Sequence, residues 1–267
     1  MGEHPSSLRG AFKEQVGQLG SLDFKPVFIL LSTTVIQVVA RFHTSRAAFR
    51  EMFGSYGLSG PLAEFYEHCS WLLGDFLLQF PLLLFLIYFV LKDSGSQYGL
   101  RKGNWRLGLK VSGIVWLCML PILWIVSADA AFQNVHPAPG LAKTAWGYFA
   151  VYEGCSVVYI IGWEFIWRGY TLFGLQEHFG YYAVWIQMIP FTLLHFGSPE
   201  LETFAAILAG VGLGVLALAT RSFWYGALAH MLVLGTMDVL GALRFRAGNT
   251  GIGLIDFFDV ISKNLLR

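Results

Sequence analysis

The chain has 267 residues, of which 55% are hydrophobic and only 13% are charged, and its mean hydropathy is +0.57. Because soluble domains carry about 25% charged residues, this composition excludes an ordinary soluble globule. The net charge of +1 leaves no electrostatic basis for binding nucleic acid. Cys69, Cys118 and Cys155 show no CxxC spacing, which argues against a disulfide framework or a thiolate metal site.

Apolar segments long enough to approach the width of a bilayer recur along the chain. A spanning helix needs about 20 apolar residues. Seven segments are candidates: about 26–42, 70–91, 111–128, 144–164, 181–196, 203–220 and 223–243. Polar stretches at 43–69, 92–110 and 129–142 are predicted to connect them, the first with room for a helix on the membrane surface, and 251–262 is predicted to be a short re-entrant or interfacial helix. The predicted fold class is all-α: a polytopic membrane bundle of seven to eight helices that encloses a polar cavity.

This pattern divides the chain into four parts. They are a polar N-terminal segment at 1–25, membrane helices and loops at 26–143, a core at 144–243, and a short C-terminal helix or tail at 244–267. The first part is not expected to be a cleavable signal peptide. Glu3, Glu14 and Asp23 lie in it, and it has no apolar run.

Four ionisable residues stand out because they lie in the apolar half of the chain: Glu164, Arg168, His195 and His230. Charges at membrane depth are costly and usually mark a functional site. A carboxylate with two imidazoles is also a set of groups that activates water. Glu164 and Arg168 are four residues apart, so they share a helix face and can pair. The alternative for this pair is a purely structural ion pair.

Three further acidic residues have two interpretations each. Glu153 lies on the same helix face as Glu164 but about 16 Å away, where it lines the same cavity or binds a neighbouring helix. Glu202 opens the helix after His195, where an acidic side chain suits the helix dipole; alternatively it folds back toward His195. Asp238 is two turns beyond His230 and is a candidate for the same cavity wall.

The order of these segments resembles the CAAX protease and bacteriocin-processing (CPBP) family of intramembrane proteases, also called the Abi family. Its pattern is Glu-Glu-x-x-x-Arg, then Phe-x-x-x-His, then His-x-x-x-Asn or Asp. Glu164-Phe165-Ile166-Trp167-Arg168, Phe191-x-x-x-His195 and His230 follow that order within 144–243. Residues 98–109 also resemble a loop that many bacterial members carry before this core.

Two positions depart from the family pattern. Trp163 stands where the family has its first glutamate, which the resemblance assigns to water activation, and Leu234 stands where it has Asn or Asp. Three explanations remain open. Glu164 has become the base, or Glu202 with His195 and His230 forms a rebuilt site that can hold a metal, or the protein binds without cleaving. The first two describe a variant branch, of which a myxosortase-like branch is one example.

The resemblance implies a hydrolase, an endopeptidase that cleaves peptide bonds in or near the bilayer by activated water. Glu164 is then the general base, which polarises water together with His195; Arg168 holds Glu164 ionised, and His230 stabilises the oxyanion. Glu202 is a supporting catalytic candidate. The predicted substrate cavity is lined by Glu153, Trp163, Phe191 and Asp238.

No cofactor is required by this interpretation, although Glu164, His195 and His230 are candidate ligands of a divalent metal such as zinc, which would make the protein a metalloprotease. The expected partners are the lipid bilayer and a peptide or protein substrate with a membrane-associated segment, cleaved in a C-terminal or leader region. The expected location is the bacterial inner membrane. The alternatives are a non-catalytic binding, immunity or scaffold protein of the same fold, and a transporter, since buried Glu and His also form proton relays.

Overall fold

The structure is a computed structural model that describes residues 8–54, 57 and 59–265, and within those residues the regular elements are helices. The α-helices are α1 (Leu8–Gly20), α2 (Phe24–Val39), α3 (Arg46–Phe53), α4 (Gly60–Gln79), α5 (Pro81–Phe85), α6 (Trp105–Val126), α7 (Ala130–Val135), α8 (Gly140–Thr144), α9 (Trp146–Glu164), α10 (Leu172–Phe179), α11 (Tyr182–Leu193), α12 (Glu200–Thr220), α13 (Trp224–Ala247) and α14 (Leu254–Leu265). The π-helical segments are Ala40–Thr44, Leu86–Leu91 and Phe165–Thr171, and Gly95–Tyr98 forms a 3₁₀ turn. Residues 1–7 of the predicted polar N-terminal segment lie outside the described residues.

Six helical segments in the described part of the chain are long and apolar enough to cross a membrane. They are Phe24–Thr44, Gly60–Leu91, Trp105–Val126, Trp146–Phe179, Glu200–Thr220 and Trp224–Ala247. Helix α11 is apolar but has only 12 residues. The predicted all-α polytopic membrane bundle is therefore confirmed, and the protein is an integral membrane protein.

The largest error of the sequence analysis concerns the second span. The polar connection predicted at 43–69 contains α3, and α4 begins at Gly60, so the span starts ten residues before its predicted position. The polar residues Glu67 and His68 lie in this stretch, but both side chains are buried. Arg46 and Arg50 of α3, whose side chains reach solvent, lie 3.6 and 3.7 Å from the buried carboxylate of Glu67, so its charge is paired.

The shorter predicted elements also differ from the structure in detail. The predicted loop at 129–142 contains the short helices α7 and α8, and the segment predicted at 251–262 is α14, which ends at Leu265. Helix α14 packs against α13. Its Leu254, Ile255 and Phe258 side chains are exposed, as expected for a helix that lies in an interface and does not span it.

The centre of the bundle is the continuous helical segment formed by α9, the π-helical residues and α10. Helices α4 and α13 pack along α9, α11 packs against α12, and α6 packs against α13. The buried apolar core surrounds the π-helical segment, and its large aromatic members include Phe165, Trp167, Tyr170, Phe191 and Phe223. Since π-helical turns recur at functional sites, this core marks where a site is expected.

Candidate active site

The carboxylate of Glu164 lies at the last residue of α9 and is fully buried. Its Oε1 atom accepts a hydrogen bond from Nη1 of Arg168 at 2.9 Å and another from Nδ1 of His230 at 2.7 Å. Its Oε2 atom is also buried and has no hydrogen-bond partner in the described part of the chain. One oxygen therefore holds the carboxylate in place, and the other is left to accept a hydrogen bond.

Arg168 lies within the π-helical segment, four residues after Glu164, and its side chain is fully buried. Its guanidinium lies 4.0 Å from the ring centre of Phe191, and Nη2 donates to the carbonyl of Ala209 at 3.3 Å. These contacts fix the cation between three elements, the π-helical segment, α11 and α12. A buried charge needs such pairing, so the guanidinium and the Glu164 carboxylate stabilise one another as ions.

His230 reaches Glu164 from α13, which packs along α9. Because the carboxylate accepts from Nδ1, the Nε2 atom of the ring points away from this pair, and the side chain is 21% exposed. One turn before it, Gly226 adjoins the unpaired oxygen: a Cβ atom at Gly226 would lie 3.2 Å from Oε2 of Glu164. The missing side chain leaves space beside that oxygen, a contribution that the sequence analysis missed.

His195 lies two residues after the end of α11, in the turn that leads to α12. Its Nδ1 donates to the carbonyl of Phe191 at 2.8 Å. The main-chain carbonyl of His195 accepts a hydrogen bond from the Thr203 hydroxyl at 3.0 Å. Burial lowers the pKa of His195, and the charges of His230 and Arg168 add to that effect, whereas the hydrogen bond to Phe191 and the carboxylate of Glu202 raise it. The ring is therefore neutral near pH 7, with a lone pair on Nε2.

Trp163 replaces a carboxylate of the family pattern with a large buried ring. It is 7% exposed, and its ring centre lies 6.0 Å from that of His195, 5.8 Å from that of Phe191 and 5.7 Å from that of Trp167. The predicted cavity residues Trp163 and Phe191 thus form an aromatic wall beside His195. An apolar wall keeps bulk water out and strengthens the electrostatic interactions inside.

The remaining predicted residues form a second polar cluster, in which Glu202 does not bind His195. The Oε2 atom of Glu202 lies 3.3 Å from Nε2 of His136, and Nδ1 of the same ring lies 3.0 Å from Oδ1 of Asp238. The side chain of Glu153 is hydrogen-bonded to Asp238. We define His136, Glu153, Glu202 and Asp238 as the acidic cluster.

His136 was missed by the sequence analysis, which placed it in a connecting loop. The residues that it binds are 66 and 102 positions away, and no spacing along the chain indicates contacts of that kind. The hydrogen bond of Glu202 goes to His136, but its charge also acts on the ring of His195, so the interpretation in which Glu202 joins His195 and His230 stays a prediction.

Metal binding receives no support from this arrangement. Among the residues that the structure describes, no three His, Cys, Asp or Glu side chains are grouped as ligands of a metal ion. The Nδ1 atoms of His195 and His230 are both engaged by protein oxygens. These hydrogen bonds leave the Nε2 atoms of both rings without a protein partner among the described residues, so metal binding by Glu164, His195 and His230 stays a prediction, and we derive no chemical step through a metal ion.

Comparison with known proteins gives one result. Residues 141–234 match the family of type II CAAX prenyl endopeptidase Rce1-like proteins. This core of the chain is similar to that family. The matched range is about a third of the chain and runs from α8 into α13. No curated protein and no solved structure matches the chain.

The Rce1-like range contains Glu164, Arg168, His195, Glu202 and His230. The family match supports a protease role, and with the membrane helices it points to a protein substrate and a lipid bilayer as partners. His136 and Asp238 lie outside the matched range.

Proposed function

We propose that the protein is an intramembrane endopeptidase in which Glu164 activates the attacking water. The observation that carries this proposal is the unequal environment of the two carboxylate oxygens. Oε1 is held by Arg168 and His230, whereas Oε2 lies without a partner beside the space that Gly226 leaves. A buried and oriented carboxylate with one open oxygen is the geometry that a general base requires.

In the proposed reaction, Oε2 of Glu164 accepts a proton as the water oxygen bonds to the peptide carbonyl carbon. The lone pair on Nε2 of His195 accepts a hydrogen bond from the same water and orients it. The carbonyl oxygen becomes an oxyanion, which His230 stabilises from Nε2 when its ring carries a proton on both nitrogens. The proton on Glu164 then passes to the amide nitrogen, the C–N bond breaks, and a carboxylic acid and an amine leave.

Arg168 does not touch the substrate in this mechanism. Its hydrogen bond and its positive charge keep Glu164 ionised in a site where burial alone favours the neutral carboxylic acid. Its position over the Phe191 ring also fixes which carboxylate oxygen is occupied. The arginine therefore positions the base and keeps it ready to accept a proton.

The substrate class follows from the location of the site. A carboxylate on a helix long enough to span the membrane reaches peptide bonds in or near the bilayer, so the proposed substrates are C-terminal or leader segments of membrane or exported proteins. A myxosortase-like role on C-terminal sorting signals is the narrower form of this proposal. The proposed location is the bacterial inner membrane.

The test is a comparison of protein termini in membranes and medium from cells that carry the wild type, Glu164→Gln or Glu177→Gln. Glu177 is the matched control because its side chain is 75% exposed on α10. New termini that are present with the wild type and with Glu177→Gln, and absent with Glu164→Gln, are expected and identify the substrate. Equal cleavage by all three proteins, inserted at equal abundance, would falsify the assignment of Glu164 as the base.

A non-catalytic peptide-binding protein is the second candidate, and the aromatic wall favours it. Trp163 fills the position of a family glutamate with an apolar ring, and Leu234 replaces a family polar residue. Under this alternative the terminal profiles of wild type and Glu164→Gln are identical. Cross-linking then recovers the same peptide partner from both.

A further inference from the structure

The imidazole of His136 bridges two helices through both of its ring nitrogens. Nδ1 lies 3.0 Å from Oδ1 of Asp238 on α13, and Nε2 lies 3.3 Å from Oε2 of Glu202 on α12. Carboxylates accept hydrogen bonds, so each nitrogen must carry a proton to donate one. A neutral imidazole has a single N–H. The bridge is therefore complete only when the ring is an imidazolium cation.

The surroundings of His136 favour this cation. Burial by itself lowers the pKa of His136, but the hydrogen bonds to Asp238 and Glu202 and the charges of both carboxylates raise it to about 9. The other titratable groups nearby are Glu153 and Tyr152 on α9 and Lys143 on α8, which interact with Asp238, and His195, which interacts with Glu202. The bridge is thus intact at neutral pH.

The backbone at His136 is fixed as firmly as its ring. A Cβ atom at Gly241 of α13 would lie 1.7 Å from the carbonyl oxygen of His136, so the loop packs directly on the helix backbone. The ring centre of Phe132 lies 4.8 Å from that of His136, and Lys143 donates to the carbonyl of Asn134 at 2.9 Å. The loop between α6 and α9 therefore acts as a rigid support for the imidazole.

The bridge joins the two helices next to the catalytic imidazoles. Glu202 lies in the first turn of α12, directly after the turn that carries His195, and Ser198 of that turn is hydrogen-bonded to Glu202. Asp238 lies eight residues after His230 on α13. The ion pairs thus connect the α11–α12 turn to α13 through one side chain.

We infer that His136 is a positioning residue that holds His195 and His230 at their working separation by clamping Glu202 to Asp238. This inference rests on the proposed protease function. Since carboxylates occupy both ring nitrogens, His136 has no free nitrogen with which to contact a substrate. His136 therefore affects catalysis indirectly, by fixing the position of the turn that carries His195. Small displacements of a catalytic group cost up to about 100-fold in rate, so a loosened turn has a large effect.

The activity test uses His136→Gln, Glu202→Gln and the control His178→Gln, which changes a surface histidine paired with Asp23. Wild type and control are expected to lose activity as pH rises through about 9, where the bridge deprotonates. His136→Gln is expected to lower kcat about 10- to 100-fold with little change in KM and to lack the part of the alkaline loss that lies near pH 9. Glu202→Gln is expected to shift this alkaline loss of activity to lower pH, because only Asp238 then forms a hydrogen-bonded ion pair with the His136 cation.

A second measurement does not depend on activity. Amide hydrogen exchange of residues 194–203, corrected for the intrinsic effect of pH, is expected to rise above pH 9 in the wild type and to be high at every pH in His136→Gln. Exchange within α9 stays protected in both, which shows that the variant is folded. Unchanged exchange in the 194–203 segment would overturn the positioning role, whether or not the protein cleaves.

The two proposals fail in different ways. If Glu164→Gln cleaves as the wild type does, the proposed function fails, and the exchange measurement still decides on the clamp. If cleavage requires Glu164 but His136→Gln keeps the wild-type kcat and the wild-type alkaline loss of activity, the inference about His136 is wrong and the proposed function stands.

Discussion

Replacement of Arg168 by methionine tests the buried ion pair at the centre of the proposed site. Methionine keeps an unbranched side chain over the Phe191 ring but removes the cation, so Glu164 retains only its hydrogen bond from His230. Both partners of the pair are fully buried, and removal of one partner of such a pair typically costs about 3–5 kcal/mol. We expect a loss of unfolding free energy in that range for Arg168→Met.

The contacts of Arg168 lead to a similar figure. The charged hydrogen bond to Glu164 at 2.9 Å contributes about 1.5–3 kcal/mol. The contact with the Phe191 ring at 4.0 Å contributes about 1–2 kcal/mol in a desolvated site. Glu164→Gln is also expected to destabilise the protein, since it leaves the Arg168 cation buried without a counter-ion. The double variant leaves neither charge, so its loss should be smaller than the sum of the two single losses.

The assay is an SDS titration in detergent micelles, followed by circular dichroism, for the wild type, both single variants and the double variant. The matched control is the Asp259–Lys263 pair on α14, which has the same i,i+4 spacing and a 2.8 Å contact but is exposed. Little coupling is expected there, because solvent screens exposed pairs. Additive losses at Glu164 and Arg168, within about 0.5 kcal/mol, would refute the reasoning.

Four further outcomes follow from contacts described above. Gly226→Ala places a methyl group 3.2 Å from Oε2 of Glu164 and should lower the cleavage rate about tenfold or more with little change in unfolding; an unaltered rate would place the water elsewhere. Gly241→Ala collides with the His136 carbonyl and should destabilise the protein by about 1–3 kcal/mol in the same SDS titration; a wild-type titration curve would contradict this packing. The raised pKa of His136 means that its stabilising effect is complete below about pH 6.5 and is lost as pH rises through about 9, so the stability difference between wild type and His136→Gln should shrink between pH 7 and pH 10. Cleavage by the purified protein should survive EDTA, because the described residues show no cluster of metal ligands. Loss of activity in EDTA, with recovery when zinc is added, would instead establish a metal site.

Hydropathy and helical spacing were sufficient to predict most of the fold and part of the site. The spans were predictable because each apolar segment is continuous, and Glu164 with Arg168 was predictable because four residues make one helical turn. The start of α4 was not, since Glu67 and His68 read as surface residues until their burial is known. Buried polar residues look the same in a sequence as exposed ones.

The acidic cluster was beyond sequence reasoning for a different reason. Glu153, Glu202 and Asp238 each had a satisfactory local interpretation, as a helix-face, helix-start or cavity residue. Their common partner, His136, lies in a loop with no periodic pattern and belongs to the cluster only because α12 and α13 are brought together by the fold. Long-range pairing of this kind is determined by tertiary packing, which one sequence does not display.

The short length of α11 changes how water reaches the site. Twelve residues of helix measure about 18 Å, whereas the hydrocarbon layer of a bilayer is about 30 Å thick. A helix of that length that begins at one interface ends inside the hydrocarbon layer, and the turn carrying His195 lies at that end. A hydrophobic mismatch of this size is relieved when lipids thin locally around the short helix. Such thinning beside α11 would bring the aqueous phase toward His195, so we expect bilayer thickness to affect how readily water reaches the proposed site.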